Sequence, residues 1–182
     1  MTLFLKFADL LLWLAKLLTI VIMAGMTASV LVGVFFRYVI PIPMAWPPEA
    51  ARFMMVAVTM FGSSIAIRQL EHAGITFLVD VLPPRLRLTL YLLGNLSIAI
   101  FLAIFAYFSW RMTAEMGVRQ VSSSLGMPMT VAYISMPVGG VMMLVQLLAA
   151  SIEGLARFKS GGTPFASELQ EAAPLSQGKS SV

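Results

Sequence analysis

The sequence predicts an all-α integral membrane protein: four transmembrane helices, short interfacial amphipathic helices, and both termini in the cytoplasm. Three observations predict it. Residues 17–36, 53–67, 88–110 and 120–152 contain no Asp, Glu, Lys, Arg or His. A spanning helix needs roughly 20 apolar residues, so three of these runs suffice alone and the second does once residues 47–52 are added. The composition agrees, with 59% hydrophobic residues, 11% charged residues and a mean hydropathy of +0.92, whereas about a quarter of a soluble chain is charged. The remaining charges crowd into the loops and ends, where water and lipid headgroups solvate them.

The spans are expected at 14–37, 47–68, 87–110 and 128–153 in one membrane domain, 1–158, with a disordered cytoplasmic tail at 159–182. Sidedness follows from the loops. Lys6, Lys16, Arg68, Arg85, Arg87, Arg157, Lys159 and Lys179 fall on one side and Arg37, Arg52, Arg111 and Arg119 on the other. The positive-inside rule puts the richer side in the cytoplasm. The same distribution explains the net charge of +4 without a nucleic-acid partner, because the basic residues mark helix ends rather than one patch interleaved with exposed aromatics. Cysteine is absent and His72 is the one histidine, which excludes a disulfide, a thiolate cluster, a bis-His haem and a three-His zinc site.

Along residues 3–16, Leu3, Phe7, Leu10, Leu11 and Leu14 share one helical face while Lys6, Asp9, Trp13 and Lys16 share the other. That spacing predicts an interfacial helix that bends or runs straight into the first span, which is too long for a cleaved signal and reads as a retained anchor. Within the first span, Gly25, Ser29 and Gly33 recur every four residues. Such a small-residue stripe admits a close helix, either from the same bundle or from a partner subunit.

The second span is expected to start near Pro47, because the first amides of a helix need no intrahelical acceptor. Glu49 then lies in the first turn, where the helix dipole favours a carboxylate, and Arg52 lies within reach of it. Arg37 competes for the same carboxylate in this reading. Ile75, Leu78, Val79 and Leu82 are spaced for a short amphipathic helix ended by Pro83 and Pro84. His72, just before it, reads as a cap or surface hydrogen-bonding residue sooner than as a ligand.

Asn95 in the third span and Gln146 in the fourth are expected to hydrogen-bond between helices, since an amide facing lipid has no partner. The fourth span is expected to begin at Pro128 and to kink at Pro137, whose ring clashes with the Tyr133 carbonyl; Gly139 and Gly140 accommodate the bend.

The order of these features resembles the small membrane subunit of the tripartite ATP-independent periplasmic (TRAP) transporters over roughly residues 3–156. The matching residues are Phe35-Phe36-Arg37-Tyr38, Trp46 with Glu49 and Arg52, Gly62, Arg68 with His72, Asp80 and Leu82-Pro83, Gly126 with Pro128, and Pro137-Val138-Gly139. One departure is Pro48, where the family often carries a second acidic residue beside Glu49. The resemblance implies a sodium-driven system for organic acids in the bacterial inner membrane. In it a large elevator-type permease subunit holds the substrate and sodium sites, and a periplasmic substrate-binding protein delivers the cargo. This chain would then be a non-catalytic scaffold.

Gly25, Ser29, Gly33, Gly62, Ser63, Arg37, Trp46, Glu49, Arg52, Arg68 and His72 become candidates for the partner interface, and Arg111, Glu115 and Arg119 candidates for docking the binding protein. No catalytic or substrate-binding residue, metal or cofactor is assigned. Two other classes compete. A four-helix membrane enzyme binding an anionic cofactor such as glutathione needs a cationic pocket between spans, and Arg68, Arg85 and Arg87 sit at one membrane face instead. A self-assembling channel needs a polar stripe, and the one begun by Thr59 and Ser63 goes no further.

Overall fold

The computed structural model describes residues 2–40, 42, 44–70 and 84–159. It contains five helices among these residues: α1 (Thr2–Tyr38), α2 (Trp46–Leu70), α3 (Pro84–Met116), the single turn α4 (Thr130–Tyr133) and α5 (Ser135–Lys159). Four stretches are long and apolar enough to cross a membrane: Leu3–Tyr38, Trp46–Gln69, Leu88–Met116 and Thr130–Ala156. The amphipathic segment expected at 75–82, His72 and the tail beyond residue 159 lie outside the described residues.

Helix α1 packs along α2, α2 along α5, and α5 along α3. The bundle is therefore a row in the order α1, α2, α5, α3. Within it, 44% of the last span's most apolar stretch is buried, against 6% for the first span. The last helix in sequence is thus the hub of the bundle, and the outer faces of α1 and α3 expose large apolar side chains such as Ile20, Leu31, Phe101 and Ile104. In water such faces would be costly; in hydrocarbon they match their surroundings.

Residues 3–16 are continuous with the first span, since no Gly or Pro interrupts them. The resulting helix of 37 residues is about 55 Å long, well beyond a hydrocarbon core of roughly 30 Å. Its expected apolar face, with Leu3, Phe7 and Leu10, is exposed, and α1 buries the small residues Ala8 and Ala15 instead. Leu11, Leu18 and Ile22 pack with Ala15 against Phe61 of α2 and Met142 of α5. A second apolar cluster joins Leu102 of α3 to Met143 and Leu147 of α5, with Met60 and Ile67 of α2 beside it.

The Gly25, Ser29 and Gly33 stripe faces α2 of the same chain. A Cβ on Gly33 would stand 3.2 Å from Pro47 Cβ, and one on Gly25 would stand 3.4 Å from Met54 Sδ. Ser29 Oγ donates to the Pro47 carbonyl at 3.1 Å. Small side chains therefore serve close approach within the bundle.

Two boundaries move relative to the sequence reading. Helix α3 continues to Met116, past the expected end at residue 110, and the last span starts as a helix at Thr130 rather than at Pro128. Between them the chain forms a small hairpin: Val121 bridges Pro128, the Ser122 amide donates to the Met127 carbonyl at 2.8 Å and the Met129 amide to the Gln120 carbonyl at 2.9 Å. Gly126 turns the hairpin with a φ of 65°, a region that side chains with a Cβ avoid.

The helix is interrupted at Ile134, three residues before Pro137. Pro137 has no amide hydrogen for the Tyr133 carbonyl. That carbonyl accepts instead from Thr113 Oγ1 of α3 at 3.3 Å, a hydroxyl shared with the Ser109 carbonyl at 2.8 Å. The proline's local cost is thereby offset by a neighbouring helix.

Candidate functional site

The two ends of the helix row collect the charged and polar candidates, and the structure arranges them differently from their order in the sequence. At one end stand the C-terminus of α1, the N-terminus of α2 and the hairpin. Glu49, in the first turn of α2, accepts the Ser124 amide at 2.8 Å and the Ser123 hydroxyl at 3.4 Å. The expected pairing of Glu49 with Arg52 or Arg37 is not made, because the carboxylate turns to the hairpin. Its short side chain meets a turn that presents an N–H and a hydroxyl together. Glu49 therefore latches the start of the second span to the loop before the fourth.

Around this latch Trp46 shares an apolar groove of about 400 Å³ with Leu125, Met127, Phe53 and Val131. Arg37 and Arg52 are exposed, and the Arg37 guanidinium lies 5.9 Å from the centre of the Tyr38 ring. Arg111 and Glu115, one turn apart at the end of α3, pair with each other: Nε and Nη2 donate to Glu115 Oε1 at 3.0 and 2.7 Å. Arg119, in the turn that follows, is exposed and has no acidic partner among the described residues. The Glu49 latch yields a direct expectation. Glu49→Ala should lower stability only slightly, since the latch is solvent-exposed, and speed amide exchange at Ser124 while leaving the α2 core protected, as hydrogen–deuterium exchange would read.

At the opposite end, Arg68 of α2 reaches both neighbours of its helix, α1 and α5. Its Nη2 donates to Glu153 Oε1 of α5 at 2.6 Å and to Asp9 Oδ1 of α1 at 3.1 Å. The Arg68 side chain is 10% exposed, against 32% for Glu153 and 62% for Asp9. One guanidinium thus joins the three helices α1, α2 and α5 where they leave the apolar core. Sequence reading placed Asp9 on the polar face of residues 3–16 and Arg68 among the candidates for the partner interface, without joining them. The signal that could have joined them is that Arg68, Asp9 and Glu153 all flank charge-free runs on the same side.

Deeper in the bundle the polar residues serve helix contacts. Gln146 Nε2 donates to the Ala8 carbonyl at 2.9 Å, Asn95 Nδ2 donates to Ser151 Oγ at 3.0 Å, and the Tyr91 hydroxyl lies 3.4 Å from the Ala150 carbonyl. The expected roles of Asn95 and Gln146 are those the structure shows. Gly62 differs from the glycines of α1, since a Cβ there would meet nothing within 4 Å. It opens outward, with Ser63 half-buried beside it. Among the described residues no three His, Cys, Asp or Glu side chains converge as a metal site.

Comparison with known proteins identifies this architecture. The chain is similar to the sialic acid TRAP transporter small permease protein SiaQ of Vibrio cholerae serotype O1, with 26% identity over 133 residues, covering 73% of this chain and 76% of that protein. It is also similar to the sialic acid TRAP transporter permease protein SiaT of Haemophilus influenzae, with 31% identity over 99 residues, covering 54% of this chain but 15% of that much longer protein. Residues 26–157 match the family described as tripartite ATP-independent periplasmic transporters, DctQ component. That match takes in the latch, the hairpin, Arg68 with Glu153, the last third of the first span and the whole of the other three, so the chain belongs to the DctQ family: it is a multi-pass inner-membrane subunit of a TRAP transporter and not an enzyme.

Proposed function

We propose that this chain is the static small subunit of a sodium-driven TRAP transporter for organic acids, bracing the scaffold of the large elevator-type permease subunit and helping to dock the periplasmic substrate-binding protein. The observation that carries this reading is how its polar groups are used. Solute and ion pathways through a bilayer are built from intramembrane charges and polar groups that face a cavity. Here the spans' interior amides bind neighbouring helices, and the guanidinium of Arg68, the least exposed among the described residues, is held by two carboxylates at a helix end. A chain that uses its polar groups to fix helices is suited to standing still beside one that moves.

Both termini are placed in the cytoplasm by the excess of Lys and Arg at the Arg68 end, so the Glu49 latch and the hairpin face the periplasm. The organic-acid class is supported by the names of the two similar proteins, since sialic acid is a carboxylic acid; the residues that choose the cargo are assigned to the large subunit and the binding protein. The partner interface is assigned to the open Gly62 and Ser63 surface of α2, with Arg37, Trp46, Arg52 and Arg68 at its two ends. Gly25, Ser29 and Gly33 face α2 within this chain, and a contact from them to the partner would be indirect.

For docking, Arg119 is the strongest candidate because it is exposed and carries an uncompensated charge, while Arg111 is already paired with Glu115. Arg119→Glu is expected to leave assembly intact and to lower transport at limiting binding protein roughly tenfold at low ionic strength, with the defect shrinking as salt screens the encounter. Transport that is unchanged at every salt concentration would remove Arg119 from the docking surface.

A further inference from the structure

We propose that the cleft between the end of α1 and the start of α2 is a binding site for one anionic glycerophospholipid. In this site one of the two acyl chains lies along Val30, Gly33 and Val34 and the phosphate is held by Arg37. The inference concerns this chain's own surface and does not depend on what the transporter carries.

The shape comes first. Val30, Gly33, Val34 and Arg37 line one wall of a cleft of about 450 Å³, and Met44 and Pro47 stand opposite. Those four α1 residues recur at i, i+3, i+4 and i+7, so they form a continuous stripe along one helix face. From Val30 to Arg37 the stripe rises about 10 Å along the helix axis. The cleft therefore runs from inside the first span to its end, in the direction an acyl chain takes. Gly33 lets Pro47 approach closely and leaves the floor of the cleft without a side chain. Its volume falls in the range of small-ligand sites, roughly 300 to 1,000 Å³.

The charge selects the ligand. Arg37 is exposed at the water end of the cleft, and Glu49, the carboxylate placed to neutralise it, is bound to the hairpin serines instead. Among the described residues the Arg37 guanidinium has an aromatic neighbour, Tyr38, but no acidic one. A guanidinium fork matches phosphate oxygens, and an exposed tyrosine beside it is the side chain enriched at headgroup depth. An apolar channel ending in an unneutralised arginine is complementary to an amphiphile with an anionic head. The groove beside Trp46 differs in having no charged side chain in its lining, so nothing there selects an occupant.

Native mass spectrometry of the delipidated full chain, with phosphatidylglycerol, phosphatidylcholine or glycerol 3-phosphate added back, tests the site. One phosphatidylglycerol should be retained in preference to phosphatidylcholine. Arg37→Gln should weaken it roughly tenfold or more, the loss expected when a charged hydrogen-bonding partner is removed. Val34→Trp, which fills the cleft from an exposed position, should abolish retention, and Arg52→Gln, outside the cleft, should leave phosphatidylglycerol retention by the isolated chain unaltered. Unaltered thermal unfolding would show that the variants fold. Equal retention of the two phospholipids, equal effects of Arg37→Gln and Arg52→Gln, or retention by the tryptophan variant would overturn the proposal. So would glycerol 3-phosphate binding as tightly as the lipid, which would mark a phosphate site, or a photo-crosslinker at Val34 reacting with the large subunit instead of with lipid in the intact complex.

Discussion

Arg68→Ala is expected to lower the stability of the bundle by about 2 to 3 kcal/mol, the range for losing charge-assisted hydrogen bonds at a partly buried site. The figure stays below that for a fully buried pair because Asp9 is 62% exposed and can be resolvated. Removing the guanidinium leaves Glu153, 32% exposed, facing Asp9 across the junction of three helices with no other counter-charge among the described residues. The loss should appear as a lower unfolding temperature in detergent and as faster exchange at the first turns of α1 and the last turns of α5. Arg68→Lys should recover much of it, because both carboxylates are held by the single nitrogen Nη2 and an ammonium carries three donors on one nitrogen. Glu153→Gln in the Arg68→Ala background should restore more stability than Glu153→Gln costs alone, since it removes the stranded charge.

Gly139→Leu is expected to disrupt the bundle at its centre. A Cβ on Gly139 would stand 2.6 Å from Met60 Cβ and 3.4 Å from the Met60 backbone, and one on the adjacent Gly140 would stand 3.1 Å from the Phe105 ring. These two glycines are where α5 touches both neighbours at once. The clash at Gly139 is with the root of a side chain and the backbone behind it, so no rotamer change relieves it. Added atoms at such a contact cost roughly 1 to 3 kcal/mol each time a well-packed interface must shift, and a leucine forces α2 and α5 apart. Gly62→Leu provides the contrast, because its side chain would enter open space. That variant should unfold at the parental temperature yet weaken association with the large subunit, whereas Gly139→Leu should lose both fold and association. An unaltered complex with Gly62→Leu would move the interface to another face.

The spans were legible because hydropathy is a property of contiguous residues, and membrane burial acts on contiguous stretches. Pro137 declared its break in the same local way, and Asn95 and Gln146 declared their roles because an amide in hydrocarbon has few alternatives. The hub position of the last span was not legible: all four stretches are apolar on every side, so periodicity carries little information on which face is covered. The contacts of Glu49 were misread, and those of Arg68 not foreseen, for a different reason. Arg37 and Arg52 are close to Glu49 in sequence, but its partners are a turn more than seventy residues on. Arg68 binds residues 59 and 85 positions away. Electrostatic partners at helix ends are chosen by the order of helices in the bundle, which no local pattern encodes.

The central claim, that this chain works as a bracing subunit of a larger permease, is tested most directly by purifying the tagged chain from its native membranes in mild detergent or nanodiscs and identifying what accompanies it by mass spectrometry. Stoichiometric recovery of one much larger polytopic protein is the predicted result. Recovery of this chain alone, as a monodisperse oligomer, would contradict the account.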